Sequence, residues 1–375
     1  MTEAPALDRA ALYRVLDRYL AALRARDAAR VRWAPRAVHV ENNVVLVPGD
    51  GLWGTVTALG DYELRFADTR TGEVGFFGAV TETRDTSPFG LRLKVDAQGA
   101  ILEAEVIIVR AADSGLRFPE PRFENKPALN AILPEGSRTS RARMRALANG
   151  YFDTLQLNDG TLHTQFWDSC NRVENGVQTT NNPDLALLPS ARLGCAEQFR
   201  LGVYRYDDRL RARRFPLIDV ERGLVLAAGF IDHCGRLGSY SLTDGRTVES
   251  PIRRPHSFYL LELFRIRDEK LEQIEAVFIT VPYHMPSPFE QNEDRTMSKI
   301  IYHLVQHDGG WAYRVDETFS ETFPSYESAR QAAERAAREQ ALPGEATVIS
   351  YEDKQGHWHQ ERVAGNDRPE PEVEG

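Results

Sequence analysis

The phrase HVENNV at residues 39 to 44 returns as RVENGV at 172 to 177, and this duplication constrains the fold more than any other feature of the chain. Glu41 and Glu174 stand 133 positions apart, and near that offset Tyr19 falls on Tyr151 and Asp27 on Asp159. Further along, DTRTGEVGFFGAV (68 to 80) parallels DVERGLVLAAGF (219 to 230), and LRLKVDAQGAILEAEVIIV parallels LFRIRDEKLEQIEAVFITV. The second copy is longer, with insertions around 178 to 198 and 234 to 255 whose Gly, Pro, Asn, Ser and Arg content reads as loops.

Each copy has the same order of elements. The first helix places Leu12, Val15, Leu16, Tyr19, Leu20 and Leu23 at three- and four-residue spacing, which gives one apolar face. Residues 141 to 156 repeat that pattern, and each helix is followed by a short polar stretch, the ENx strand and several longer strands separated by turn signals such as DTSPFG and DAQG. Helices gathered before a run of antiparallel strands predict an α+β fold with helices packed on a curved sheet. At 375 residues the chain has room for several cores. We therefore expect a first cone and linker over 1–130, a second cone over 131–296 and an accessory region over 297–375.

The helix ending in RARD or LQLND, the V-E-N strand and the closing D-x-x-x-I-x-x-x-E strand, in that order and twice, resemble the nuclear transport factor 2-like, or SnoaL-like, superfamily over residues 5 to 112 and 140 to 290. The resemblance implies two tandem cones, each a strongly bent antiparallel sheet closed by N-terminal helices around an apolar pocket. It also implies cofactor-free proton chemistry, as in the ketosteroid isomerases, scytalone dehydratases and polyketide cyclases of that superfamily. The ketosteroid isomerases carry V-E-D at this strand, with the Asp as base. Here Asn42 and Asn175 stand in that place, and an amide donates to an oxyanion but accepts no proton. The scytalone dehydratase Tyr-Asp pair is replaced by Leu23-Arg24 and Leu155-Gln156. Glu41 and Glu174 alternate with the Asn residues and read first as paired structural carboxylates, with a pocket role as the alternative.

The second copy is richer in titratable groups and is the better candidate for chemistry. His233 ends one strand and His256 begins the next, so a hairpin brings the two imidazoles together, where neutral His beside carboxylates suits a general base. The expected catalytic set is His233 or Asp232 as base and Asn175 as oxyanion donor, with Arg172 and His256 converging on them. Tyr151, His163, Tyr259, Glu262 and Tyr283 are the expected substrate contacts. In the first copy His39 takes the place of Arg172, and with Asn42 and Trp53 it leaves a second pocket open.

Other chemistries fall away. No nucleotide-binding glycine loop, Walker A loop or H-E-x-x-H motif occurs. His357 and His359 sit two apart but lack further ligands, so no metal or other cofactor is expected. A net charge of −9 argues against nucleic acid as a partner, and no apolar run approaches the roughly 18 to 20 residues of a membrane span. Cys170, Cys195 and Cys234, widely spaced, fit reduced thiols in a cytoplasm.

After residue 296 the chain reads as strand, turn, strand, helix, strand, turn, strand. Gly310-Trp311, Arg314, Ser328 and Gly356 resemble a small uncharacterised bacterial ββαββ family, which implies an accessory or oligomerisation module. The tail GNDRPEPEVEG has the acidic, Pro-containing composition of disorder.

Three functional classes stay open. The first is a cofactor-independent lyase, dehydratase or isomerase acting on an apolar, aromatic small molecule, with the superfamily's formaldehyde-releasing lyases of lignin-derived diarylpropanes as the specific relatives to consider. The second is a small-molecule carrier. The third is an assembly protein whose two cones form an intrachain pseudo-dimer, with further homo-oligomerisation possible in principle.

Overall fold

The computed structural model describes residues 7–111, 121–186, 188–289, 301–307, 309–315, 318–340, 347–352 and 358–363. The acidic tail, Gly356 and His357 lie outside the described residues. The chain divides into two compact units, Met1–Pro288 and Phe289–Gly375, and both copies of the repeat belong to the first.

The first copy runs α1 (Arg9–Arg24), β1 (Trp33–Glu41), β2 (Val44–Leu46), α2 (Leu52–Thr55), β3 (Val56–Asp68), β4 (Glu73–Glu82), β5 (Asp85–Val95) and β6 (Ile101–Ile108). A short α3 (Pro127–Asn130) leads to the second: α4 (Arg141–Leu157), β7 (Phe166–Glu174), β8 (Val177–Gln178), α5 (Cys195–Leu201), β9 (Arg209–Asp219), β10 (Leu224–His233), a hairpin of β11 (Ser239–Ser241) and β12 (Thr247–Glu249), β13 (His256–Arg267) and β14 (Lys270–Val281). The long insertions thus carry α5 and the β11–β12 hairpin, elements the loop reading did not anticipate.

The two six-stranded sheets have the same order, β2-β1-β6-β5-β4-β3 and β8-β7-β14-β13-β10-β9. They are mixed rather than antiparallel, because the first long strand of each copy pairs in parallel with the last: β1 with β6 and β7 with β14. In the first copy β2, α2 and three antiparallel strands, β3 to β5, lie between these partners along the chain. Each sheet closes on its own helix. Leu12, Leu16, Tyr19, Leu20 and Leu23 of α1 are buried on the first sheet, and Met144, Leu147, Ala148, Tyr151 and Phe152 of α4 on the second. Asp8 caps α1 by accepting from the Ala11 N–H at 2.7 Å, and Ser140 caps α4 through the Arg143 N–H at 3.3 Å.

The twice-written ENx phrase is a turn. Asn42 and Asn43 have φ of 50° and 67°, and Asn175 and Gly176 have φ of 49° and 79°, so each pair makes a two-residue turn of the type I′ kind that suits the twist of a hairpin. Asn tolerates this left-handed conformation better than other non-glycine residues. Its amide then extends the parallel ladder: Asn42 exchanges bonds with the Ile108 carbonyl and N–H at 3.1 and 2.9 Å, and Asn175 with those of Phe278 at 3.0 and 2.9 Å.

The outer faces of the two sheets pack together through Leu64, Phe66, Phe77 and Ile107 of the first copy and Leu226, Tyr259, Leu261 and Val277 of the second. Gly90 sits where they approach closest: a Cβ there would lie 2.4 Å from Val277 Cγ2. The rim of this contact is reciprocal. Arg9 at the start of α1 donates to Asp219 of the second copy (Nη2–Oδ1 2.9 Å) and to Ala67 O of its own at 3.4 Å. Arg141 at the start of α4 donates to Asp68 of the first copy at 2.5 Å and to Ile218 O of its own at 3.1 Å. Two buried glutamates cross as well. Glu105 accepts from Arg214 at 2.6 Å and from the Tyr259 hydroxyl, while Glu275 accepts from Lys126 at 2.5 Å and from the Tyr62 hydroxyl.

In the second unit, β15 (Ile301–His307), β16 (Gly310–Val315), β17 (Thr318–Phe319), α6 (Tyr326–Gln340), β18 (Thr347–Glu352) and β19 (Trp358–Val363) form a sheet of order β17-β16-β15-β18-β19. The ββαββ order is present with the short β17 added, and Ala329 and Ala333 of α6 pack on Leu304.

The reciprocal rim makes a stability prediction. Arg9→Ala and Arg141→Ala each leave a buried aspartate without its main cation. Each should lower unfolding free energy by about 1–3 kcal/mol, and by similar amounts, in urea denaturation. A large loss for one and none for the other would contradict an equivalent pair of contacts.

Candidate acid–base site

Strand register fixes which side chains enter each cone. In the second, Ala227, Glu262, Ala276 and Glu174 lie abreast on β10, β13, β14 and β7, so all four project from one face. Their neighbours Phe264 and Ile274, two residues further along β13 and β14, belong to the inner core, which makes this the inner face. The corresponding row of the first cone is Phe76, Leu91, Val106 and Glu41. Three bulky apolar residues therefore fill the first cone, where the second has two alanines flanking a carboxylate.

Glu262 is buried close to the Tyr151 hydroxyl. Burial, reinforced by the charge of Glu174 and only partly opposed by Arg172, pushes its carboxyl up to about 8. At neutral pH Glu262 is thus mostly a neutral acid. Tyr151 reaches it from α4 and is walled edge-on by Phe152, Phe166, Phe199 and Phe264. Arg172, two residues before Glu174 on the same strand face, is 1% exposed. It donates to Thr179 Oγ1 at 3.3 Å, to Gln198 Oε1 at 2.5 Å and to the Tyr204 hydroxyl, and lies 3.4 Å from Glu174. Tyr204 in turn donates to Gln198 at 2.5 Å. The guanidinium is thereby held in place by groups from the segment between β8 and β9, which is far longer than its counterpart between β2 and β3.

A second cluster stands where β10 ends and β13 begins. His233 and His256 stack with centroids 4.8 Å apart and planes 18° apart, as the hairpin register predicts. The His233 Nδ1 faces the Ile231 carbonyl at 3.1 Å, and a carbonyl only accepts, so Nδ1 carries the proton. Its Nε2 then faces Asp207 Oδ1 at 3.0 Å. Burial disfavours the charged form of both partners: it raises the Asp207 carboxyl well above the usual range, and it lowers His233 to about 4 with help from His256.

Of the expected residues, the structure gathers Tyr151, Arg172 and Glu262 in one cluster and His233 with His256 in the other. Asp232 does not join His233, because adjacent strand residues face opposite ways. It accepts from Arg211 at 2.9 Å and Ser257 at 2.6 Å and lies 3.3 Å from His284. Asn175 has both amide atoms committed to Phe278 and is not free to serve an oxyanion. Tyr259 points outward to Glu105, Tyr283 is 36% exposed and His163 is exposed. In the first cone His39 and Trp53 are buried with Tyr19 and Trp33, and Asn42 repeats the turn role of Asn175. Asp207, Tyr204 and Gln198 were not expected as site residues, and Glu174 was expected first as a structural carboxylate with a pocket role as the alternative. Glu174 carried a signal, since it shares a strand face with Arg172; the others come from the segment between β8 and β9, where no period marks the inward side.

Among the described residues no group of three or more His, Cys, Asp or Glu side chains is placed to hold a metal ion, and no helix is long and apolar enough to cross a membrane. An open groove of about 620 Å3 lies elsewhere, at the reciprocal Arg9 and Arg141 contacts.

Comparison with known proteins adds family matches but no activity. Residues 137–278, spanning α4 through most of β14, match a domain of unknown function (DUF8021), and residues 302–363 match an uncharacterized protein conserved in bacteria (DUF2188). No curated protein matches. Similar solved structures include a protein of unknown function with a cystatin-like fold from Methylobium petroleophilum PM1, 20% identical, covering 30% of this chain and 86% of its own, with a TM-score of 0.26. Others are AclR, a proposed hydroxylase from Streptomyces galilaeus (17% identical, 38% and 83% covered, TM-score 0.25), and a proposed isomerase from Rhodopseudomonas palustris (9% identical, 37% and 91% covered, TM-score 0.24).

The shifted carboxyl predicts a pH dependence. Between its ordinary 4.5 and about 8, native Glu262 binds a proton that the unfolded chain has released. Its contribution to stability is therefore full below pH 4.5 and is lost as pH rises to about 8, by up to ~5 kcal/mol. Glu73, raised to about 7, titrates in an overlapping window and Asp207 is raised by burial too, so the Glu262 share is the difference between the native protein and Glu262→Gln. That difference should grow in favour of the variant from pH 5 to pH 8 in denaturation curves; parallel pH profiles would contradict the shift.

Proposed function

We propose that the second cone is the working site of an enzyme that uses general acid–base chemistry on an apolar, aromatic small molecule, in the manner of an isomerase, dehydratase or lyase. The observation that carries this reading is Glu262. A carboxyl has been placed among Phe and Ala side chains, at a position where the first cone has Leu91, and burial holds it near neutrality. A buried ionisable group of this kind is costly to stability, and its pKa is matched to giving and taking protons near pH 7.

In this reading Glu262, close to Tyr151, gives a proton to a substrate oxygen and takes one back from carbon or oxygen as the bond rearranges. Arg172 and Tyr204 supply fixed donors to charge that develops on the substrate, held by Gln198 and Thr179 so that little reorganisation is needed. The alanines abreast of Glu262 leave its flanks low, and the aromatic wall around Tyr151 favours a flat apolar substrate. Side chains suffice for every step.

The test is a turnover screen of purified protein against aromatic ketones, diols and diarylpropanes, with and without a chelator. Chelator-insensitive turnover is expected, and Glu262→Gln should lower kcat by about a hundredfold or more while leaving substrate affinity within about tenfold. Full turnover by Glu262→Gln would remove the assignment. Ligand binding with no product in any assay would make the second cone a carrier.

A further inference from the structure

Two of the three cysteines, far apart in sequence, meet inside the second cone. Cys170 lies on β7, two residues before Arg172 and on the same inward face, and Cys195 is the first residue of α5. Both are buried, at 0% and 2% exposure, in the same core of the second cone. The Cys195 thiol also reaches the Cys170 carbonyl at 3.1 Å. The third thiol, Cys234, stands apart beside Asp208 at 3.1 Å and Arg236 at 2.7 Å. Cys170 and Cys195 join different parts of the site: β7 is the wall that carries Arg172 and Glu174, whereas α5 carries Gln198, which holds Arg172, and Phe199, which packs on Tyr151.

We propose that Cys170 and Cys195 are a modification site: a dithiol that a hydroperoxide converts to a disulfide, fastening the cap of the second cone to its wall. The bond itself stands on the approach of the Cys195 sulfur to Cys170, 3.1 Å from its carbonyl oxygen; only its consequence for turnover rests on the acid–base reading. Cys195 is the attacking sulfur. Burial works against its thiolate, but the hydrogen bond from Cys170 and the nearby Arg172 cation outweigh burial and hold the thiol below its ordinary range, while the same hydrogen bond and burial raise Cys170. The Cys195 thiolate attacks one peroxide oxygen, the O–O bond breaks, and an alcohol or water leaves with a sulfenic acid on Cys195. The Cys170 sulfur then attacks the sulfenic sulfur, the S–O bond breaks, and the Cys170 proton departs with the hydroxide as water. The two thiols lose two electrons in total and the peroxide gains two. A dithiol reductant reverses the change by exchange.

The test treats the full chain, folded and near neutral pH, with hydrogen peroxide, blocks remaining thiols by alkylation, and maps peptides by mass spectrometry without reduction. The expected product is a peptide joining Cys170 to Cys195, lighter by two hydrogen atoms and released by dithiothreitol, with Cys234 outside the crosslink. Cys170→Ser and Cys195→Ser should each abolish that peptide, and Cys234→Ser should leave it unchanged. The oxidised protein should unfold at a higher urea concentration than the reduced one, since the crosslink restricts the unfolded chain. A crosslink to Cys234, or oxidation of Cys195 to sulfinic acid with no linked peptide, would overturn the proposal. So would linked peptide that forms only after unfolding. Because the readout is a bond, failure here is separable from failure of the acid–base reading, which turnover decides.

Discussion

The structure depends on one contact, the back-to-back packing of two six-stranded sheets across an internal pseudo-twofold rim. Each copy lends the other an arginine from the start of its helix and receives an aspartate from the end of a long strand: Arg9 with Asp219, and Arg141 with Asp68. Each also buries a glutamate on its last strand that takes bonds from outside its own copy: Glu105 from Arg214 and the Tyr259 hydroxyl, beside Arg92 of its own, and Glu275 from Lys126 and the Tyr62 hydroxyl. A buried carboxylate without its cation is costly, so neither sheet's outer face is satisfied alone. This reciprocity accounts for both copies lying in a single compact unit, and it frees the two inner faces from structural duty to one another.

The inner faces have consequently diverged. The first cone is filled across its middle row by Phe76, Leu91 and Val106, and its remaining carboxylate, Glu41, is turned to structure, accepting the Leu52 N–H at 2.7 Å and Arg110 at 3.1 Å. The second cone exchanges that packing for Ala227, Glu262 and Ala276 and adds a cap from its insertions, through which Gln198 and Tyr204 hold Arg172. One copy has retained the packing that a stable core needs. The other carries buried polar groups that a core alone would not call for, and in a duplicated fold that asymmetry is the physical argument for where function lies.

The repeat made much of this legible in the sequence. Its offset located both helices and nearly every long strand, and the hairpin register of β10 and β13 placed His233 beside His256. Strand parity was the weaker guide. Asp232 and His233 were grouped as neighbours, although adjacent residues of a strand face opposite sides, and Tyr259 pointed outward for the same reason. The parallel pairing of β1 with β6 was not visible, because a local pattern carries no information on which distant strand lies alongside. Asn42 and Asn175 were read for their chemistry, whereas their left-handed backbone made them turn residues. Glu262 could have been ranked first from the sequence alone: it is a lone carboxylate within the apolar run FYLLELF, and its counterpart in the first copy is leucine. Asp207, Tyr204 and Gln198 lie between β8 and β9, where the two copies differ most in length, so only the fold shows them facing inward.

The central claim, that the second cone keeps a neutral carboxylic acid in an apolar interior, is tested most directly by infrared difference spectroscopy of the carboxyl stretch between native protein and Glu262→Gln. At pH 6 the account predicts a band of a protonated, buried carboxylic acid that is absent from the variant and is replaced by a carboxylate band as pH passes about 8. A carboxylate signal from Glu262 already at pH 6 would contradict it.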